Sequence, residues 1–187
     1  MEAKLCACGC GRPLDRRAAL VGLTCVGVGA ALASTSPARA EALLTPAQPQ
    51  DEGFMRLALA EAAKGDFPFG AVIVRDGKVV ATGHNRGSND PTAHGEMVAI
   101  HAFVARHPSG LLREATLYTS GEPCPMCMSA IIWCGFRRMV YAASIAELAT
   151  RIGQIMLTSA EVANRASFTK IEITGGVLSK EAMALFR

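Results

Sequence analysis

The stretch ATLYTSGEPCPMCMSAIIWCGFRRMVYA, residues 115–142, decides the architecture. Ala115 to Ser120 reads as a short β-strand, and Cys124 to Cys134 is an almost wholly apolar run stopped by Gly135, the pattern of a buried helix. Arg138 to Ala142 then reads as a second strand. Two strands joined through a helix form a parallel crossover, because only antiparallel neighbours can be joined by a tight turn. Helices that follow strands must also cover the sheet they cross.

Working toward the N-terminus, Thr92 or Asp90 can cap a helix with Pro91 near its start, carrying Met97, Ile100 and Val104 at spacings of three and four. His107-Pro108-Ser109-Gly110 ends it. Gly70 to Arg75 and Lys78 to Gly83 are β-rich runs split by Asp76-Gly77, a strong two-residue hairpin signal. An earlier helix starts at Asp51 and stops at Gly65. Toward the C-terminus, Ser144 to Ser167 is partly helical, Lys170 to Thr174 reads as a fifth strand, and a last helix begins at Ser179. The expected order from the hairpin onward is β-β-α-β-α-β, within one domain over residues 51–187. Residues 41–50, with two prolines and two glutamines, read as a linker.

The first forty residues read as an address. Arg16 and Arg17 precede an uncharged run from Ala18 to Ala38, and Ala38-Arg39-Ala40 has the A-x-A form of a cleavage site. The paired arginines resemble a twin-arginine export signal, the route of proteins that fold before crossing the membrane. The expected product is an exported, periplasmic domain cut near Ala40, touching the membrane only in transit. The alternative is an uncleaved anchor, since roughly 20 apolar residues can just span a bilayer. Cys25 does not read as a lipid-anchor site, because Gly22 stands where an aliphatic residue is needed. Cys6, Cys8 and Cys10 have no nearby histidine and do not read as a metal site.

The whole chain carries a formal charge of +3, but residues 41–187 hold 14 basic and 14 acidic side chains. That balance argues against a protein that must neutralise many phosphates and favours a small neutral ligand. Cys124, Cys127 and Cys134 do not make a disulfide framework.

The chemistry lies in His94-Gly95-Glu96 and Pro123-Cys124-Pro125-Met126-Cys127. Cysteines at i and i+3 share one helical face, and a helix N-terminus favours the thiolate that zinc needs. His94, Cys124 and Cys127 give one zinc three protein ligands and leave the fourth tetrahedral position free, as in catalytic rather than structural sites. Positions i and i+2 of a helix point about 200° apart, so Glu96 reads as the proton carrier beside the metal and not as a ligand. A zinc-stabilised binding module is the non-enzymatic alternative, and it needs a fourth protein ligand. His101 and Cys134 lie about 10 Å along their helices from His94 and Cys127, too far to serve. Cys134 reads as a buried small residue, His84 and His107 as non-ligands, and Glu122 as support for the nearby turn.

The H-x-E and P-C-x-x-C pair is the signature of zinc-dependent base deaminases, and with it the chain from about Asp51 resembles the cytidine deaminase-like superfamily. Pro68-Phe69-Gly70-Ala71-Val72-Ile73-Val74, Gly83-His84-Asn85, Asn89-Asp90-Pro91-Thr92-Ala93-His94-Gly95-Glu96 and Glu122-Pro123-Cys124-Pro125-Met126-Cys127 resemble its guanine deaminase and tRNA adenosine deaminase branches. The resemblance implies a three-layer α/β/α sandwich with a five-stranded mixed sheet, a homodimer, and Asn85 bonded to the base. It implies hydrolytic removal of an amino group from a free nucleobase or nucleoside, with Glu96 moving the protons. The run around Trp133 resembles guanine deaminases, where an aromatic residue helps cover the base, and makes guanine the first expected substrate. Two departures stand against guanine. Gly95 replaces the usual alanine, and Arg151 to Ile155 holds Gln154 where an acid is expected. Ile171 to Leu178 instead resembles the end of a tRNA adenosine deaminase, the alternative activity. Export and the charge balance disfavour that alternative.

The leader yields a direct expectation. Replacing both Arg16 and Arg17 with Lys should strand the folded protein in the cytoplasm, as fractionation would show; unchanged periplasmic recovery would mean a different signal or an anchor.

Overall fold

The computed structural model describes residues 42–186, and the leader, with its four cysteines and its cleavage site, lies outside the described residues. After a short β1 (Leu43–Leu44), the chain runs α1 (Asp51–Ala62), β2 (Gly70–Arg75), β3 (Lys78–His84), α2 (Gly95–Val104), a 3₁₀ turn (Ser109–Glu114), β4 (Thr116–Gly121), α3 (Pro125–Cys134) and β5 (Arg138–Ala143). It finishes with α4 (Ile145–Leu148), α5 (Ser159–Ala163), β6 (Glu172–Thr174) and α6 (Ser179–Met183). The sheet order is β1-β6-β5-β4-β2-β3. β4, β5, β6 and β1 run parallel, while β2 is antiparallel to both β3 and β4.

The three layers follow from alternation along the strands, whose successive side chains point to opposite faces. Ile73, Leu117, Met139 and Ile173 pack with Ile100 and Phe103 of α2 and Met128 and Ile131 of α3. Their neighbours Val72, Tyr118 and Val140 point the other way, into a second core with Met55 and Ala58 of α1 and Ala182 of α6. Both faces are thus buried, as the apolar strands anticipate. At the hairpin, Asp76 (φ 51°) and Gly77 (φ 70°) both take the left-handed conformation, as a type I′ turn requires.

The sheet has six strands, one more than expected. The sixth is β1, inside the segment read as a linker: the Leu43 and Thr45 N–H groups donate to the Ile171 and Ile173 carbonyls at 3.1 and 2.9 Å. Backbone pairing makes this strand, fastened at its ends by a Thr45–Thr174 hydroxyl bond at 2.9 Å and by Ala42 N donating to Asn164 Oδ1 at 2.7 Å. Leu44 remains 75% exposed, so no burial pattern marks it in the sequence. The second helix also begins later than expected, at Gly95. Asp90 does not cap it; its Oδ1 accepts from Thr92 N and Oγ1 at 2.8 and 2.7 Å. That closes an Asx-type turn and leaves Pro91 in the loop.

A buried ion pair ties the layers together. Asp51, at the start of α1 and fully buried, receives both guanidinium ends of Arg138 at 2.7 Å each. It also accepts from Tyr118 Oη at 2.9 Å and Gln48 N at 2.7 Å, and Arg138 donates further to Thr174 Oγ1 at 2.7 Å. One carboxylate thereby joins α1, β4, β5 and, through Arg138, β6. Burial pulls its pKa up, but the hydrogen bonds, Arg138 foremost, outweigh burial and hold it below the ordinary carboxylate value. The stability from this lowered pKa is complete above the unfolded value near pH 4 and is lost as pH falls through the lower folded value. Arg138→Met, which strands the carboxylate without a partner, should cost about 3–5 kcal/mol in urea unfolding at neutral pH. A loss under about 1 kcal/mol, the scale of an exposed pair, would show that the pair does not hold the layers.

Candidate active site

The site forms beyond the C-terminal ends of the parallel strands, where open α/β sheets expose helix N-termini and loops. α2 and α3 both begin there. His94 is the N-cap of α2 (φ −65°, ψ 156°) and Cys124 the N-cap of α3 (φ −60°, ψ 165°). Extended backbone at each cap throws the side chain off the helix axis toward the other helix. Pro125 occupies the first position of α3, where its missing N–H costs nothing, and Gly135 ends the helix in the left-handed conformation (φ 76°).

Glycine brings α2 close enough to the sheet. A Cβ on Gly83 of β3 would collide with the backbone of Gly95 and Ala99, and one on Gly95 would sit 3.0 Å from the Phe69 carbonyl. Gly95, between His94 and Glu96, is therefore pressed against the Phe69–Gly70 backbone at the start of β2.

His94 Nδ1 lies 3.6 Å from Cys124 Sγ and 3.5 Å from Cys127 Sγ. The three donor atoms fall within 4.8 Å of one another. A tetrahedral zinc with Zn–S near 2.3 Å and Zn–N near 2.0–2.1 Å sets a nitrogen–sulfur separation of about 3.6 Å. The site already has that spacing, so the donor set fits zinc in both chemistry and size. Among the described residues, these three make up the metal-ligating group. Without metal, the Cys124 thiol is lowered to about 4, chiefly by a hydrogen bond from Cys127, with burial opposing and His94 assisting. The same hydrogen bond, with burial, pushes Cys127 up.

Glu96 sits one residue past Gly95 in the first turn of α2, 4% exposed, and burial pushes its carboxyl above the ordinary value. It opens onto a cavity of about 360 Å³ that also takes in His94, Cys124, Asn85, Glu122 and Gln154. The apolar walls are Phe67 and Phe69 before β2, Met126 of α3, and Ile152 and Ile155 of the loop after α4.

Asn85 divides its amide between two tasks. Its Oδ1 accepts from Gly87 N at 2.8 Å, which shapes the turn after β3. This leaves Nδ2 as a donor at the cavity, where Asn85 is 4% exposed. Glu122 is committed to structure: its two oxygens accept the N–H groups of Ile145 and Ser159, each at 2.8 Å. It thus pins the starts of α4 and α5, and with them the loop that walls the cavity.

Trp133 stands apart from the cavity. It is 75% exposed near the far end of α3, its ring 4.6 Å from that of Phe168, so within one chain it neither covers the pocket nor packs in the core. His84 pairs with Glu61, His107 lies against Phe103, and Cys134 is half-buried on α3. Phe67, Ile152 and Ile155 carry no signal of a wall in the sequence, and Met126, though inside the Glu122–Cys127 block, is given no role by its position there. Phe69 lay inside a matched block, but its role depends on where the chain turns into β2.

The chain is similar to known deaminases in both sequence and fold. Guanine deaminase of Bacillus subtilis is 43% identical over 105 residues, spanning 52% of this chain and 67% of that one. A tRNA-specific adenosine deaminase of Aquifex aeolicus is 37% identical over 98 residues, 49% of this chain and 65% of that one. The solved structure of guanine deaminase from Nitrosomonas europaea superposes with a TM-score of 0.60 at 28% identity, covering 80% of this chain and 87% of that one. The sequence matches thus span about two thirds of those relatives' lengths. Residues 48–143, just over half of the chain, match the model of the cytidine and deoxycytidylate deaminase zinc-binding region, and the chain belongs to that family.

Proposed function

We propose that this protein is a zinc-dependent hydrolytic deaminase of a free nucleobase or nucleoside, with guanine the first candidate. One observation carries the reading: a buried carboxyl, Glu96, shares a cavity of about 360 Å³ with a three-member zinc site. A cavity of that size suits a single heterocycle. The likeness to the Bacillus subtilis guanine deaminase favours guanine.

Zinc held by His94, Cys124 and Cys127 supplies Lewis-acid chemistry, making water acidic and stabilising negative charge on oxygen. Glu96 does the proton work. Its carboxylate accepts a proton from the attacking water as the new C–O bond forms at the amino-bearing carbon, and passes that proton to the adjacent ring nitrogen. It then carries a second proton from the same oxygen to the amino nitrogen as the C–N bond breaks, so that ammonia leaves and the ring becomes an oxo-heterocycle. Glu96 ends as it began. The low-dielectric walls of Phe69 and Ile152 strengthen these interactions by keeping bulk water away. Asn85 Nδ2 donates to an acceptor on the ring and fixes its orientation.

The leader supports export to the periplasm, and the exposed Trp133 and Phe168 support a homodimer that covers them. Among the described residues, no helix is long and apolar enough to cross a membrane. The second reading, a tRNA adenosine deaminase, draws on the likeness to the Aquifex aeolicus enzyme. The balanced charge of residues 41–187 favours small ligands over a polyanion.

The test is ammonia release by the mature domain, with guanine, cytosine, adenine, their nucleosides and aminated triazines as substrates, with and without excess tRNA at moderate salt. Turnover of at least one small compound, little affected by tRNA, is expected. Strong inhibition by tRNA, or inosine in an anticodon stem-loop with every small compound untouched, would favour the second reading. Glu96→Gln should retain about one zinc per chain while losing roughly 10²–10⁴ in rate; activity within about threefold of the parent would remove Glu96 from the mechanism.

A further inference from the structure

Outside the metal ligands, the polar side chains lining the cavity are Asn85, Glu96, Glu122 and Gln154. Glu96 faces the reacting atoms, and both oxygens of Glu122 are taken by backbone N–H groups. Asn85 Oδ1 is held by Gly87 N, which leaves Nδ2 as the half of its amide without a protein partner. Gln154 differs from all three. It is half-buried in the loop after α4, and no described residue bonds to either half of its amide. A half-buried amide loses hydration on both its donor and its acceptor when a ligand fills the cavity, so that ligand must replace both bonds.

We propose that Gln154 is a specificity-determining residue that reads a lactam edge, a ring N–H next to a ring carbonyl, on the part of the substrate turned away from the metal. This rests on the deaminase reading above. The primary amide holds Oε1 and Nε2 on one carbon, so it can accept from a ring N–H and donate to the neighbouring carbonyl at once, forming two parallel bonds. A carbonyl is the strongest neutral acceptor a base offers to Nε2, and Gln154 supplies the uncommitted side-chain acceptor for the N–H. The pair is charge-neutral, matching the need to hold a neutral ring in an apolar enclosure formed with Phe69 and Ile152. An amino-bearing ring without a carbonyl leaves one half of the amide unpaired. Substrates are therefore oxo-amino heterocycles, and bases lacking the carbonyl are discriminated against.

Binding of unreactive rings tests this apart from catalysis. Hypoxanthine carries a lactam edge and purine does not, and neither has an amino group to lose. Dissociation constants for both should be measured by calorimetry on the zinc-loaded full domain and on Gln154→Met, which keeps the length of the side chain and removes its hydrogen bonding. Hypoxanthine should weaken about 30-fold, the scale of two neutral hydrogen bonds, and purine less than about threefold. Gln154→Asn, with the amide one methylene short, should fall between parent and Gln154→Met. Equal weakening of both rings, or unchanged hypoxanthine binding, would overturn the assignment. The deaminase reading is judged separately, by ammonia release from the parent protein, so either can fail without the other.

Discussion

The site exists because two helices begin at one end of the sheet with extended residues at their caps. His94 and Cys124 leave the helices they cap, and Cys127 completes the set from one turn inside α3. Nothing in that arrangement is available to an unfolded chain: the imidazole is 30 residues from the first thiol in sequence. Zinc affinity is therefore coupled to folding of the sheet, and metal bound to the native donor set adds to the stability of the fold. The contact between Gly83 and Gly95 sets how closely α2 can lie on β3, and so where the imidazole arrives.

Two buried carboxylates on either side of that arrangement hold the scaffold. Asp51, paired with Arg138, fixes α1 to the middle of the sheet. Glu122, one residue past β4, captures the first N–H of α4 and of α5 and so positions the loop carrying Ile152, Gln154 and Ile155. A third carboxylate, Glu96, bonds only locally, to its own backbone N–H and to the Cys127 thiol, and ties no distant element in place, which suits the proton-carrying role proposed for it. Three acids of similar chemistry thus have separate roles, assigned by what their oxygens bond to.

Much of this was legible in the sequence. Cysteines at i and i+3 after a proline, with a histidine two residues before a glutamate, define the donor set without coordinates. The strand–helix–strand alternation gives the parallel half of the sheet, and Asp76-Gly77 gives its hairpin. What stayed hidden rests on contacts between distant segments. β1 is made by backbone bonds to a strand 129 residues away, with exposed leucines that carry no pattern. Asp51 looked like a first-turn acid at a helix N-terminus, and only its 2.7 Å bonds to a residue 87 positions away reveal the buried pair. Asp90 and Thr92 are both good caps, but Asp90 spends its oxygen on Thr92 and the helix waits for His94. Trp133 sits in an apolar helix, yet points outward, because a sequence that is apolar nearly all round does not say which face is buried and which is left open.

His94, Cys124 and Cys127 would hold zinc by one nitrogen and two sulfurs, leaving a fourth position for water. X-ray absorption at the zinc edge of the purified protein tests this most directly. About one zinc per chain is expected, with two sulfurs near 2.3 Å and two lighter atoms near 2.0 Å, one of them exchangeable. A shell of three or four sulfurs, or zinc retained unchanged in Cys124→Ala, would contradict this ligand set.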